Sequence, residues 1–334
     1  MTVEMKAHNK VLDVAKGIAI MLVVLGHSFP SNVFTGHTVL DQTATFIYDF
    51  VYSFHMPVFF CISGYLFYNA WISHRSGTVK RKAQRLLIPY ITFSVLYIPL
   101  RLVASGMANS DFEGGYWKMI LGISPNGGVW FLYTLFIFFL ITFYLIRINN
   151  IKIILIISAC ISIISQLGLP FSQILHDVMP RILDIFRFYI YFLLGLYVKD
   201  VSQKENNWVK KVIFFNGKFK TLLFLVLFGL YEFGSIKFFC VPIALLGANL
   251  TIIVSQRLKN NEFLIYIGKI SMDIYLLHGP VMVVLRWSFI RIGLTKILIP
   301  IAMFTISLGI AVLISRYIIH KIKLIEFLCT GNKN

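Results

Sequence analysis

Apolar residues in this chain gather in long runs, broken by short segments that carry most of the polar and charged positions. A helix needs about 20 apolar residues to cross the hydrocarbon of a bilayer, and it satisfies its own backbone hydrogen bonds there. Ten windows meet that description, at 11–29, 46–68, 86–104, 129–147, 150–167, 182–198, 219–233, 236–254, 263–290 and 297–319. The pattern therefore predicts an all-α fold, a polytopic membrane helical bundle of about ten transmembrane helices. Between the seventh and eighth windows, Glu232, Gly234 and Lys237 leave room only for a tight turn. In the ninth, Gly268 and Lys269 are placed to separate a short interfacial helix from the span.

Composition agrees with the pattern: 58% of the 334 residues are hydrophobic and 13% are charged, whereas soluble proteins are about half apolar and a quarter charged. The net charge of +17 would suggest nucleic acid in a soluble protein. Here the Lys and Arg lie between apolar runs with no nucleic-acid-binding signature, so the expected partner is the lipid bilayer and not nucleic acid. With the N-terminus in the cytoplasm, 22 of the 31 Lys and Arg fall on the inner side. By the positive-inside rule both termini are expected in the cytoplasm, as in a multi-pass protein of a bacterial inner membrane. Arg286, Arg291 and Lys296 go against that rule in the last outer loop and form either a packing cluster or a ligand site. The first helix follows two lysines like a secretory signal, yet no small-x-small cleavage site follows it, so it is expected to stay attached. No internal repeat or second folded segment is visible, so residues 1–334 read as a single membrane domain. Cys61, Cys160, Cys240 and Cys329 are isolated, without metal-ligand spacing, and read as packing residues; no metal is expected.

Ionisable groups inside a bilayer cost about 2.5 to 3.5 kcal/mol or more at a helix centre, so each one asks for a reason. The first window, LDVAKGIAIMLVVLGH, holds Asp13, Lys16 and His27. Lys16 and His27 are eleven residues apart. That is about 1100°, or three turns plus about 20°, so both project from one helix face about 16 Å apart along the axis. Asp13, one turn below, is placed to pair with Lys16. Lys16 either snorkels to the inner interface or serves a ligand; His27 either marks the outer interface or transfers protons, the work to which imidazole is best matched near neutral pH.

The second window, FHMPVFFCISGYLF, carries His55 in its outer half and Pro57, a residue able to kink it. KRKAQRLLIPY then crowds Lys80, Arg81, Lys82 and Arg85 at the cytoplasmic start of the third helix, where basic residues serve topology or hold phosphate oxygens. GGVWFLY opens the fourth with Trp130, an interfacial anchor or a pocket wall. ISMDIYLLHGPV places Asp273 and His278 in the ninth, with His278 expected nearer mid-bilayer than His27. The other histidines, His8, His37, His74, His176 and His320, look peripheral. No GxSxG elbow, HExxH or P-loop is present, and Ser28 points about 100° from His27 on a helix, so a Ser-His-Asp hydrolase is unsupported.

Together and in order, LDVAKGIAIMLVVLGH, FHMPVFFCISGYLF, KRKAQRLLIPY, WFLY and SMDIYLLHG resemble the acyltransferase-3 family of membrane O-acyltransferases over essentially the whole chain. The resemblance implies a ten-helix bundle whose first helix carries a basic residue, ten intervening positions and a catalytic histidine, here Lys16 and His27. Lysine stands where the family usually has arginine, so no bidentate contact is expected at that point. The family's basic loop after the second span, thought to hold CoA phosphates, maps to Arg81, Lys82 and Arg85. The resemblance also implies the form without a C-terminal hydrolase-like domain.

The function this points to is transfer of an acyl group, most simply acetyl, from cytoplasmic acetyl-CoA or another acyl-CoA to a hydroxyl. The acceptor would be a cell-envelope polysaccharide or lipid-linked sugar. His27 would be the general base, Lys16, Arg81, Lys82 and Arg85 would hold the donor, and His55, Trp130 and His278 would face the acceptor. The competing reading is a transporter or flippase for a glycolipid or small metabolite, its path lined by Asp13, His55, Asp273 and His278.

Overall fold

The computed structural model describes residues 9–29, 33, 34, 38–73, 77–103, 129–145, 151–167, 180–203, 216–234 and 236–332. Among these there are helices and turns and no strand. The helices are α1 (Lys10–His27), α2 (Val39–Tyr52), α3 (His55–Ser73), α4 (Thr78–Val103), α5 (Trp130–Leu145), α6 (Ile151–Gln166) and α7 (Pro180–Gln203). They continue with α8 (Gly217–Glu232), a 3-10 turn at Lys237–Phe239, α9 (Cys240–Arg257), α10 (Glu262–Lys269) and α11 (Ser271–Arg291). The C-terminal part holds α12 (Leu298–Ile314), a π-helical turn at Ser315–Ile319, and α13 (Lys323–Thr330).

Each of the ten apolar windows lands on a helix. Among the described residues four stretches have the length and apolarity to cross a membrane: Val39–Ser73 counted across its break, Thr78–Leu100, Cys240–Arg257 and Leu298–Ile319. A fifth is added if α10 and α11, bent by 75° at Ile270, form one span. That bend falls beside Gly268 and Lys269, where the sequence had placed the boundary of a short helix.

The second window departs from expectation. It is not one helix kinked at Pro57. A capping box, with the Thr38 hydroxyl accepting from the Asp41 amide and the Asp41 carboxylate accepting from the Thr38 amide, starts a separate helix at Val39. That helix ends at Tyr52, and α3 restarts at His55. Pro57 has no N–H to give to the carbonyl of Ser53, so the continuous ladder stops there and Pro57 sits in the first turn of a new helix, where no donor is needed. The basic segment after the second window is helical, as its placement at the start of the third helix anticipated, and is not the loop that the family resemblance described. Arg81, Lys82 and Arg85 lie in the first two turns of α4.

α1 occupies the centre of the bundle and touches α2, α3, α9, α10, α11 and α12. Its approach to α10 is backbone to backbone: a Cβ on Gly268 would run into the Asp13 carbonyl, and one on Gly17 into the Leu264 carbonyl. α3 and α7 meet in the same way, Gly64 against the Phe192 carbonyl and Gly195 against the Cys61 carbonyl, as small residues permit in membrane helix packing. An aromatic core of Phe60, Phe67, Phe138, Phe139 and Phe192 fills the space among α3, α5 and α7. A smaller core of Ala15, Ala19, Phe54, Val58, Phe224 and Phe228 seals α1 and α3 against α8 and α9.

The C-terminal helix returns to the base of α4. Gly331 ends α13 in the left-handed conformation, φ +65°, with its Cα facing the Gln84 carbonyl and the Arg85 backbone. Asp13, Asp273, His320 and the start of α4 are thereby gathered at one end of the bundle.

Candidate functional site

At the opposite end of α1 the structure assembles three histidines. His27 and His278 lie with ring centroids 5.1 Å apart, and His55 reaches the same cluster through Tyr52, whose ring centroid is 4.7 Å from its own. His27 and His278 therefore lie side by side in one cluster. The break between α2 and α3 creates this arrangement, because it turns the end of one helix and the start of the next toward the last residue of α1.

The histidines are held differently. His55 Nδ1 lies 2.7 Å from the Val51 carbonyl, and His278 Nδ1 lies 3.1 Å from the Ile274 carbonyl. A carbonyl only accepts, so each of these Nδ1 atoms carries a proton and donates it. His55 and His278 are 2% and 3% exposed, whereas His27 keeps part of its surface open. Among the described residues the hydrogen-bond partner of His27 is the Tyr52 hydroxyl, 3.2 Å from Nε2 and 3.3 Å from Nδ1. Ser28 beside it donates to the Val24 carbonyl at 2.8 Å and is buried, so it is committed to the helix.

Two further groups stand at this cluster: Tyr48, which was not singled out from sequence, and Arg286, which was read there only as part of an outer basic group. Tyr48 stacks on Tyr52 with centroids 3.9 Å apart. Arg286, 2% exposed, enters from α11 closely enough for its charge to act on the His27 ring. The expected outer cluster of Arg286, Arg291 and Lys296 is in fact three separate fixtures. Arg291 lies over the Trp287 ring at 3.9 Å, and Lys296 pairs with buried Asp41 at 2.9 Å, tying α2 to the start of α12. Of the three, Arg286 is the one close enough for its charge to act on His27.

Trp130 stands one layer away, packed on Phe188 and Phe60 at centroid distances of 5.5 and 6.3 Å. It joins the cluster through its neighbour, Phe131, whose amide donates to the Tyr275 hydroxyl at 3.3 Å; the Tyr275 ring lies 5.9 Å from that of His278.

At the other end of α1, Lys16 pairs with the buried Asp13 carboxylate at 2.8 Å, while about a quarter of its own side chain stays exposed. The basic residues of α4 do not face one way. Lys82 extends over the Phe139 and Phe67 rings at 4.3 and 5.6 Å, whereas Arg81 and Arg85, one turn apart and exposed, share the outward face. Arg81 donates to the Thr78 hydroxyl at 3.4 Å.

Asp273 and His320 form another centre. Asp273, 3% exposed, accepts from the Ser315 hydroxyl at 2.6 Å and faces His320 Nε2 at 2.9 Å. His320 is therefore not merely peripheral. His8, His37, His74 and His176 lie outside the described residues. Among the described residues no group of three or more His, Cys, Asp or Glu is arranged to hold a metal ion.

Comparison with known proteins gives this geometry a context. Nodulation protein NolL of Mesorhizobium japonicum is 31% identical over 181 residues, covering 53% of this chain and 45% of that protein. Nodulation protein NolL of Sinorhizobium fredii is 28% identical over 214 residues, covering 59% of this chain and 51% of that protein. The chain thus aligns with about half the length of the curated relatives it matches. No solved structure matches it. The family described as "Acyltransferase domain" matches residues 9–319, a range that holds His27, Tyr52, His55, His278 and Arg286, and on that match the chain belongs to the acyltransferase-3 family.

Proposed function

We propose that this membrane acyltransferase is an O-acyltransferase that takes an acyl group, most simply acetyl, from cytoplasmic acyl-CoA and places it on a sugar hydroxyl of a cell-envelope polysaccharide or lipid-linked glycan. The observation that carries this reading is the state of the three clustered imidazoles: two are buried with Nδ1 bound to backbone, whereas His27, the least enclosed of the three residues, meets the Tyr52 hydroxyl and no backbone carbonyl among the described residues. A general base must reach the proton it removes.

In the proposed step, a nitrogen of His27 takes the proton of the acceptor hydroxyl as its oxygen attacks the thioester carbonyl carbon. The C–S bond breaks, the CoA thiolate leaves with the electron pair, and the proton passes to it from His27, giving an acyl ester and free CoA. His278, His55 and Trp130 wall the acceptor side. Lys16 with Arg81, Lys82 and Arg85 receive the anionic end of the donor at the opposite end of the bundle, a task suited to Arg forks and fixed ammonium groups. The chain crosses a bacterial inner membrane about ten times with both termini in the cytoplasm.

The test is transfer of label from acetyl-CoA into glycan in membranes of the native host. General-base assistance is worth about 10²- to 10⁴-fold, so His27→Ala, expressed at the normal level, is expected to lose transfer by a factor in that range. Near-normal transfer by His27→Ala would refute the reading, and substrate movement that needs no CoA would favour transport instead.

A further inference from the structure

A base in a buried cluster works only if its ring is held with the reactive nitrogen toward the substrate, and that orientation is usually set by a second group bonded to the other nitrogen. In many sites this group is a carboxylate. Among the described residues no carboxylate is hydrogen-bonded to His27. What meets His27 is a phenol.

We propose that Tyr52 is the positioning residue of His27, an inference that rests on the reading of His27 as the general base. Three features build the contact. Gly26, directly before His27, has no side chain where a Cβ would come within 2.7 Å of the Tyr52 ring, so one edge of the phenol packs close against the α1 backbone. Tyr48 backs that ring at 3.9 Å and His55 meets it edge-on at 4.7 Å, which fixes its plane from two sides. The hydroxyl then sits within reach of both His27 nitrogens, and its bond to one leaves the other for the acceptor. Gly26, Tyr52 and His55 come from three helices, and the break at Ser53–Phe54 brings the last two together.

A phenol does this work differently from a carboxylate. It orients the ring but brings no negative charge to offset an imidazolium, while buried Arg286 and two further imidazoles surround the site. Among the described residues no carboxylate is bonded to His27, so a proton taken up there is passed on to the departing thiolate. The chemistry suits a base that passes its proton within the transfer step and does not store it.

The experiment uses the full chain in lipid nanodiscs with Tyr52→Phe, which removes the hydroxyl and keeps the ring, and Gly26→Ala, which leaves both partners chemically intact and pushes the ring away. Acyl transfer is followed with acetyl-CoA and native-host membrane glycolipid extract, and the imidazole nitrogens of His27 by 15N NMR. A misplacement of about 1 Å costs on the order of 10²-fold, so kcat is expected to fall about 10- to 100-fold in both variants with the KM for acetyl-CoA within about twofold. The His27 nitrogens are expected to change from one fixed tautomer to an exchanging pair. An unchanged kcat in Tyr52→Phe, or His27 nitrogen signals identical to wild type, overturns the assignment. Retained transfer by His27→Ala in the same assay would instead strike the proposed function, because the nitrogen signals report the Tyr52 contact whether or not His27 is the base.

Discussion

His320 shows how one residue can matter without standing in the site. Burial alone would lower its pKa. Hydrogen bonds and charge from Asp273 at 2.9 Å and Glu326 at 3.4 Å outweigh that effect and raise it above the ordinary 6.5. Because the folded value exceeds the unfolded one, the stabilisation is complete below about pH 6.5 and is lost as pH rises through the folded value. The thermal midpoint of the wild type is accordingly expected to fall relative to His320→Gln as pH rises from 6 to 8 on the order of the histidine range; parallel curves would sink the argument. Nothing local in the sequence marks His320, since its partners are 47 and 6 positions away. Lys16, Asp13 and His27 were legible for the opposite reason: helix geometry alone fixes their relation within one element. Tyr52 became visible only through contacts between helices, and Arg286, legible as one of an outer basic group, was joined to His27 only by those contacts.

The elements obey the same division. Apolar runs specify that a segment is helical and membrane-adapted, and each of the ten windows is met by a helix. A helix that is apolar all round, such as α5 or α12, carries no stripe to say which face meets which neighbour. Breaks were legible where backbone chemistry dictates them, as at Gly268 and Lys269, and missed where a cap decides, as at Thr38. α13 lay beyond the pattern because eight residues with a mixed face give too short a signal. α10 is the element most exposed to a single change. A side chain on Gly268 would collide with the Asp13 carbonyl, where neither backbone can yield. Gly268→Val is expected to pry α10 from α1 and lower stability by about 1–3 kcal/mol or more, the usual cost of overpacking. Thermal unfolding in detergent checks this, with Gly309→Ala as control because a Cβ there meets open space; equal midpoints for the two variants would contradict the close packing.

At the scale of the whole molecule, the question is which ends of the bundle coincide. Gly268 touches Asp13 near the start of α1, and α11 begins two residues after α10 ends. Its Asp273 is bonded to His320, which precedes α13, and α13 ends against Gln84 and Arg85 at the start of α4. This unbroken chain of contacts sets the beginning of α1, the basic turns of α4 and the C-terminal helix at one end, with the histidine cluster at the other. Basic residues concentrate at cytoplasmic helix ends, and that end carries Lys16, Arg81, Lys82, Arg85, Lys321 and Lys323. A reporter fused after Asn332 is therefore expected to face the cytoplasm: green fluorescent protein should fluoresce, and alkaline phosphatase, which needs the oxidising side to form its disulfides, should stay inactive. Active phosphatase would put the basic end on the far side of the membrane and contradict its proposed use as the site for a cytoplasmic acyl-CoA.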